Sequence, residues 1–229
     1  MKWHLVNENP AKLADAPTVH RDEIQPPTPE DARLFLEAAR GDRLEALYSV
    51  GLAVGLRPGE SLGLRWSDVD LDARILRVRA SVQRIKSVGL VIEDLKSEHS
   101  KRTINLPAVC VDALRAHRVR QVDERALAAD RWQEHGLVFP NTLGKPLEPR
   151  NVVRSFKRRL AGLGLPDARF YDLRHTCASF LLAQGVEPRV VMEILGHAQY
   201  SFTMKTYAHV LPAMRQEAAS LMDELLRRT

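Results

Sequence analysis

Little in this sequence invites covalent cross-links, bound metals or a membrane. Cysteine occurs twice in 229 residues, at Cys110 and Cys177. So wide a separation gives neither a disulfide framework nor the close pair of ligands usual in zinc sites, and both read as buried, reduced thiols. The eight histidines are scattered without an H-E-x-x-H or similar spacing, which disfavours metal-assisted chemistry. No apolar run approaches the ~20 residues of a membrane span. Met1 to Val6 passes straight into polar residues rather than into the apolar core of a secretory signal, so the chain is expected to stay in the cytoplasm. A P-loop, internal repeats and low-complexity tracts are missing as well.

What remains is the composition of an ordinary globular domain, 45% hydrophobic and 28% charged, long enough for one sizeable core. Lys and Arg exceed Asp and Glu by 34 to 29, a balance compatible with a polyanionic partner but not diagnostic of one. Residues 1–26 mix Asn-Pro, Ala-Pro and charges without periodicity and read as a linker, leaving 27–229 as the folded unit. Thr28-Pro29-Glu30-Asp31 is a helix start, with a capping hydroxyl, proline at the first position and acidic side chains on the positive end of the dipole. Leu44, Leu47, Tyr48, Gly51 and Leu52 recur at helical spacing up to a stop at Gly55, and Arg57-Pro58-Gly59-Glu60 opens a short helix.

From Ala73 to Pro107 the pattern turns to β, with Ile75, Val78, Val82, Ile85, Val91, Ile92, Thr103 and Ile104 predicting three short antiparallel strands. Helical periodicity returns over 109–129 and 149–163, and the rest reads as helices separated by Gly164, Gly185, Gly196 and Pro212. The predicted class is mainly α with a small antiparallel three-stranded sheet.

Four short stretches carry the chemistry. In Arg57-Pro58-Gly59-Glu60-Ser61-Leu62-Gly63-Leu64-Arg65-Trp66 an arginine stands at a helix start, where free backbone N–H groups and positive potential would help to hold a phosphate; an exposed arginine beside a turn is the plainer alternative. Asp172-Leu173-Arg174-His175-Thr176-Cys177-Ala178-Ser179 begins another helix. Leu195-Gly196-His197 and then Thr206-Tyr207-Ala208-His209-Val210 follow.

In this order the four motifs resemble those of the tyrosine recombinase (phage integrase) family, over about Thr28 to Leu211. The resemblance implies that family's DNA breaking–rejoining fold and site-specific recombination or integration of DNA. It implies attack by a tyrosine hydroxyl on the scissile phosphate, a 3′-phosphotyrosine intermediate, and no cofactor or metal. By position Arg57 and Arg174 match the two arginines that hold the non-bridging oxygens. Lys96 matches the lysine that protonates the departing 5′-oxygen, with Lys101 as a rival; His197 matches the histidine bound to the phosphate, and Tyr207 the nucleophile. Glu60 matches an acidic position that orients an active-site arginine.

One position departs from the pattern: Tyr171 stands where the family usually has histidine. With a reference pKa near 10, about 3.5 units above histidine, a tyrosine is a poor base at neutral pH but still a hydrogen-bond donor, so Tyr171 is expected to position rather than deprotonate. His175 is turned about 100° from Arg174 and reads as a packing residue. Among the other tyrosines, Tyr48 lies in an apolar helix and Tyr200 is too close to His197 for the family spacing.

Double-stranded DNA is the expected partner, with no small-molecule substrate, and the site of action the bacterial nucleoid. Contacts are expected from Arg84, Lys86, Lys101, Arg102, Lys145, Arg150, Arg154, Lys157, Arg158 and Arg159 on the hairpin and one basic helix, although each is equally readable as a solvated charge. The last helix carries an apolar stripe of Met214, Leu221, Leu225 and Leu226 that packs at home or docks on a neighbour. The family implies a homo-tetramer on synapsed DNA, with a monomer when free, and residues 1–26 resemble the tail of its N-terminal clamp domain. Two alternatives stay open: a catalytically impaired DNA-binding fragment of an integrase, and a topoisomerase-like enzyme of type IB.

Overall fold

The computed structural model describes residues 27–95 and 100–197, with Ser220, Met222, Asp223, Leu226 and Arg227 near the C-terminus. The expected linker, Lys96, Tyr200, Tyr207 and most of the terminal stripe lie outside the described residues. The described elements are helices α1 (Pro29–Ala38), α2 (Glu45–Val54), α3 (Pro58–Leu62), α4 (Ala108–Ala128), α5 (Pro149–Gly162), α6 (Asp172–Ala183) and α7 (Pro188–Leu195). The strands are β1 (Val69–Asp70), β2 (Ile75–Val78), β3 (Ala80–Ile85), β4 (Gly89–Asp94) and β5 (Arg102–Asn105).

Local sequence explains the helix starts. The Thr28 hydroxyl accepts from the Asp31 N–H and the Asp31 carboxylate from the Thr28 N–H, a reciprocal cap with Pro29 at the first position. Helix α2 is apolar on nearly every side, with Ala46 through Leu52 all buried, because it runs between α4 and α6. Around it Phe35, Tyr48, Phe156 and Phe170 pack edge-on or tilted, with ring centroids 5.2 to 6.3 Å apart. Such pairs contribute about 0.5–1.5 kcal/mol each beyond area burial, and these fasten α1 and α5 to α2. A smaller apolar cluster of Ala178, Leu182, Val191 and Leu195 binds α6 to α7.

The class is the expected one, mainly helical with small antiparallel sheets, but the strand count differs from the sequence expectation. Strands β1, β2 and β5 form the three-stranded sheet, and β3 and β4 make a separate hairpin. The β-rich stretch over residues 75–85 breaks at Arg79, whose carbonyl accepts from the Leu95 N–H at 2.7 Å. Before the break β2 pairs with β5, and after it β3 pairs with β4. Side-chain composition is β-like on both sides of Arg79, so composition alone does not reveal the change of partner.

Candidate active site

The site is assembled at the carboxyl ends of two helices. Both α2 and α7 end on a glycine in the left-handed region, Gly55 and Gly196, each with φ 67°. These positions also admit no side chain: a Cβ on Gly55 would lie 2.6 Å from Leu195 Cδ2, and one on Gly196 2.9 Å from Arg102 Nη1. Glycine therefore serves both the turn and the close approach.

A helix C-terminus leaves carbonyls without intrahelical partners. At the end of α7 three successive carbonyls each take an arginine. Arg102 Nε donates to Ile194 O at 2.7 Å, Arg174 Nη2 to Leu195 O at 2.6 Å, and Arg57 Nη2 to Gly196 O at 3.0 Å. Arg174 reaches the end of α2 as well, donating from Nη1 to Gly55 O at 2.7 Å. Residues remote in sequence thus meet because glycine-terminated helices present carbonyls to guanidinium forks.

One carboxylate lies among these cations. Glu60, 3% exposed, accepts from the Arg57 backbone N–H at 2.9 Å and from Arg57 Nη1 at 2.6 Å. It accepts from Arg102 Nη2 at 2.8 Å and Nη1 at 3.3 Å. Burial pushes the Glu60 pKa up, but the hydrogen bonds and charge of Arg102, then those of Arg57, outweigh it and hold the carboxyl below its usual range. The helix-start expectation for Arg57 is corrected in one respect: its own N–H is already capped by Glu60, and Pro58 has none to offer.

Three guanidiniums around one carboxylate leave an excess of positive charge. Arg174 is 1% exposed, and burial followed by repulsion from Arg57 pulls its pKa down to about 10, so it stays a cation at neutral pH. Among the described residues its buried Nε–H has no hydrogen-bond partner. The imidazole of His197 follows Gly196 directly; burial, then the charges of Arg174 and Arg57, lower its pKa to about 3. It is therefore a neutral ring with one N–H donor rather than a further cation.

Arg57, Glu60, Arg174 and His197 are thus brought together, as the motif order implies. Tyr171 stands at the start of α6 with its ring edge-on to His175 at 5.1 Å. His175 is half-buried, with burial as the first cause of a lowered pKa. Tyr48 is fully buried with its hydroxyl on Ser155. Cys110 and Cys177 are free and buried, and burial pushes both thiols up to about 12.

Two members of the expected DNA-contact set are corrected. Arg102 has a side chain only 7% exposed, with its guanidinium on Glu60, Ile194 and Ser100. Arg159 donates to the Ala38 carbonyl at 2.6 Å and pairs with Asp42, joining α5 to the end of α1. Arg84 pairs with Glu148, and Lys157 with Asp167 at 2.9 Å. Lys86, Lys101, Lys145, Arg150, Arg154 and Arg158 are exposed. The inward turn of Arg102 does leave a sequence signal, since period-two alternation puts it on the face of the buried Ile104 and not that of Thr103.

Solved structures of tyrosine recombinase catalytic domains match this mainly helical domain with small antiparallel sheets. The Tn1549 transposon integrase, in complex with transposon right end DNA, superposes with a TM-score of 0.73 at 23% identity, covering 94% of this chain and 71% of that one. XerA recombinase gives a TM-score of 0.69 at 25% identity, covering 89% and 67%. The chain belongs to the phage integrase family, which matches residues 28–214. A tyrosine recombinase XerC-like protein of Caldanaerobacter subterraneus subsp. tengcongensis is 33% identical over 214 residues, 89% of this chain and 55% of that protein. An integrase of Saccharopolyspora erythraea is 31% identical over 270 residues, 95% of this chain and 61% of the relative. The chain therefore spans a little over half the length of these relatives.

Proposed function

We propose that this chain carries the strand-cleaving and rejoining chemistry of a tyrosine site-specific DNA recombinase, acting on double-stranded DNA without metal or cofactor. The observation that carries the reading is the convergence of Arg57, Arg174 and His197 on the ends of α2 and α7. This is a partly buried group of fixed donors with net positive charge, matched to the charge that builds on a phosphodiester under attack. Two guanidiniums hold the non-bridging oxygens and the neutral His197 ring donates a further hydrogen bond.

The Tyr207 hydroxyl loses its proton to water as its oxygen attacks phosphorus; the bond to the 5′-oxygen breaks; and Lys96 protonates that oxygen, for which a gain of about 10²–10⁴ is usual. The phosphate stays bonded to Tyr207, so the reverse step rejoins the strand without an outside energy source. Tyr171, a weak base, orients phosphate near Arg174. Family membership and the DNA complexes of the structural neighbours support DNA as the substrate. We place this chemistry in a homo-tetramer on synapsed DNA.

The test is a duplex carrying the recombination site and nicked beside the scissile phosphate, so that the short 5′ flank diffuses away after cleavage. The chain is expected to accumulate a covalent adduct that survives denaturing electrophoresis, and Tyr207→Phe to form none. Equal DNA binding by both proteins with no adduct from either would replace the proposal with a non-catalytic DNA-binding module.

A further inference from the structure

Among the side chains gathered at the site, Arg102 is the one to which recombination chemistry gives no task. It opens β5, yet its Nε, Nη1 and Nη2 are all engaged by protein oxygens, so that, unlike Arg174 with its unpartnered Nε–H among the described residues, it has little of its guanidinium to offer a DNA phosphate. Its donors point inward instead. Two reach the separate oxygens of Glu60, at 2.8 and 3.3 Å. The Ile194 and Ser100 carbonyls, at 2.7 and 3.1 Å, hold the head group in that position.

Glu60 is consequently shared. Arg57 reaches it through Nη1 at 2.6 Å while its Nη2 lies on the Gly196 carbonyl. A buried carboxylate facing one guanidinium alone favours a two-point pair, which would draw Arg57 down onto Glu60 and cancel the two charges against each other. With Arg102 on the far side, two cations divide one anion, and the surplus positive charge falls to Arg57, whose side chain is 37% exposed. We infer that Arg102 is a positioning residue for Arg57, acting through Glu60: it takes up the carboxylate so that the Arg57 guanidinium stays open to the scissile phosphate.

This inference rests on the recombinase reading, and a two-by-two set of variants separates the two. Wild type, Arg102→Gln, Glu60→Gln and the double variant are prepared as the full chain. Adduct formation on the nicked duplex is timed at saturating DNA, and thermal unfolding is recorded for each. Arg102→Gln is expected to be slower than wild type by at least about fivefold, because Glu60 then neutralises Arg57. The double variant, which removes both charges, is expected to be at least about threefold faster than Arg102→Gln, a recovery that a lost structural contact does not produce.

A smaller slowing, or a smaller recovery in proteins that melt as wild type does, overturns the inference. Where Arg102→Gln does not fold, Arg102→Lys replaces it. Lysine keeps the charge beside Glu60, so that variant is expected within about tenfold of wild type, and a larger loss in a folded protein overturns the inference. A wild-type protein that forms no adduct removes both readings, whereas a reactive wild type with an equally reactive Arg102→Gln removes this one alone.

Discussion

The arginines of the interior and those of α5 do different work with the same guanidinium. Inside, Arg57, Arg102 and Arg174 are held on the carbonyls that end α7, and Glu60 pairs with Arg57 and Arg102. On α5, Arg150, Arg154 and Arg158 stand exposed and form no ion pair among the described residues. A fixed cation, buried as Arg102 and Arg174 are or partly buried as Arg57 is, acts more strongly on one nearby phosphate, because water and salt screen it less. A hydrated one acts weakly and at a distance, within a Debye length of about 8 Å at physiological salt. The interior set is therefore suited to chemistry and the surface set to holding DNA, and loss of one or the other should leave different traces.

The sharpest way to break this division is at Arg174. Substitution by alanine strands the Gly55 and Leu195 carbonyls, now bonded at 2.7 and 2.6 Å, at a cost of about 1–3 kcal/mol for each buried acceptor left unpaired. It also deletes a cation from the phosphate site. Adduct formation by Arg174→Ala is expected to fall by at least about 10²–10³, with a lower melting temperature. Arg174→Lys should recover little of the rate, since an ammonium has no planar fork with which to span two helix ends. Cleavage timed on the nicked duplex beside a thermal melt checks both effects. A fully active Arg174→Lys would show that charge alone matters, and the interior set would then differ from the surface set only in place.

The converse applies on α5. Arg154→Ala and Arg158→Ala are each expected to reduce the slope of log affinity against log salt by about one. Adduct formation at saturating DNA should stay unchanged. Arg159→Ala, on the same helix, is expected to lower stability through the lost Ala38 and Asp42 contacts and to leave the slope alone. Anisotropy titrations of labelled duplex across a salt series measure all three. If Arg159 behaves like its neighbours, the contacts that set it apart do not persist on DNA.

How much of this was legible beforehand follows from what sequence encodes. Helix starts and stops were plain because they are local: Thr28 with Asp31, Pro58 after Arg57, and glycine after α2 and α7 are short-range devices. The gathering of Arg57, Glu60, Arg174 and His197 was legible through the order of motifs rather than through any property of the residues taken singly. Two features were not. The split at Arg79 depends on which strand lies alongside, a long-range choice that β-propensity does not carry. The roles of Arg102 and Arg159 depend on carbonyls 92 and 121 positions away, so a count of basic residues placed both on the DNA surface.

The smallest expected effect tests whether charge or its location governs DNA affinity. Helix α4 is also rich in arginine, but Arg115 pairs with Asp72 and Arg125 with Glu134, both at 3.0 Å, and Arg118 lies 5.2 Å over the Trp66 ring. Among the described residues, only Lys157 on α5 carries such a partner on the exposed side, Asp167. Exposed pairs of this kind contribute about 0–1 kcal/mol to stability, so either carboxylate can be removed with the fold intact. Asp167→Asn frees Lys157 on the face proposed to meet DNA and is expected to raise affinity a few-fold, roughly what one added phosphate contact gives at moderate salt. Asp72→Asn adds the same unit of positive charge beside α4 and is expected to change affinity by less than about twofold. Equal gains from the two would mean that the duplex senses the net charge of the domain and not the α5 face, and the contrast between the helices would lose its functional meaning.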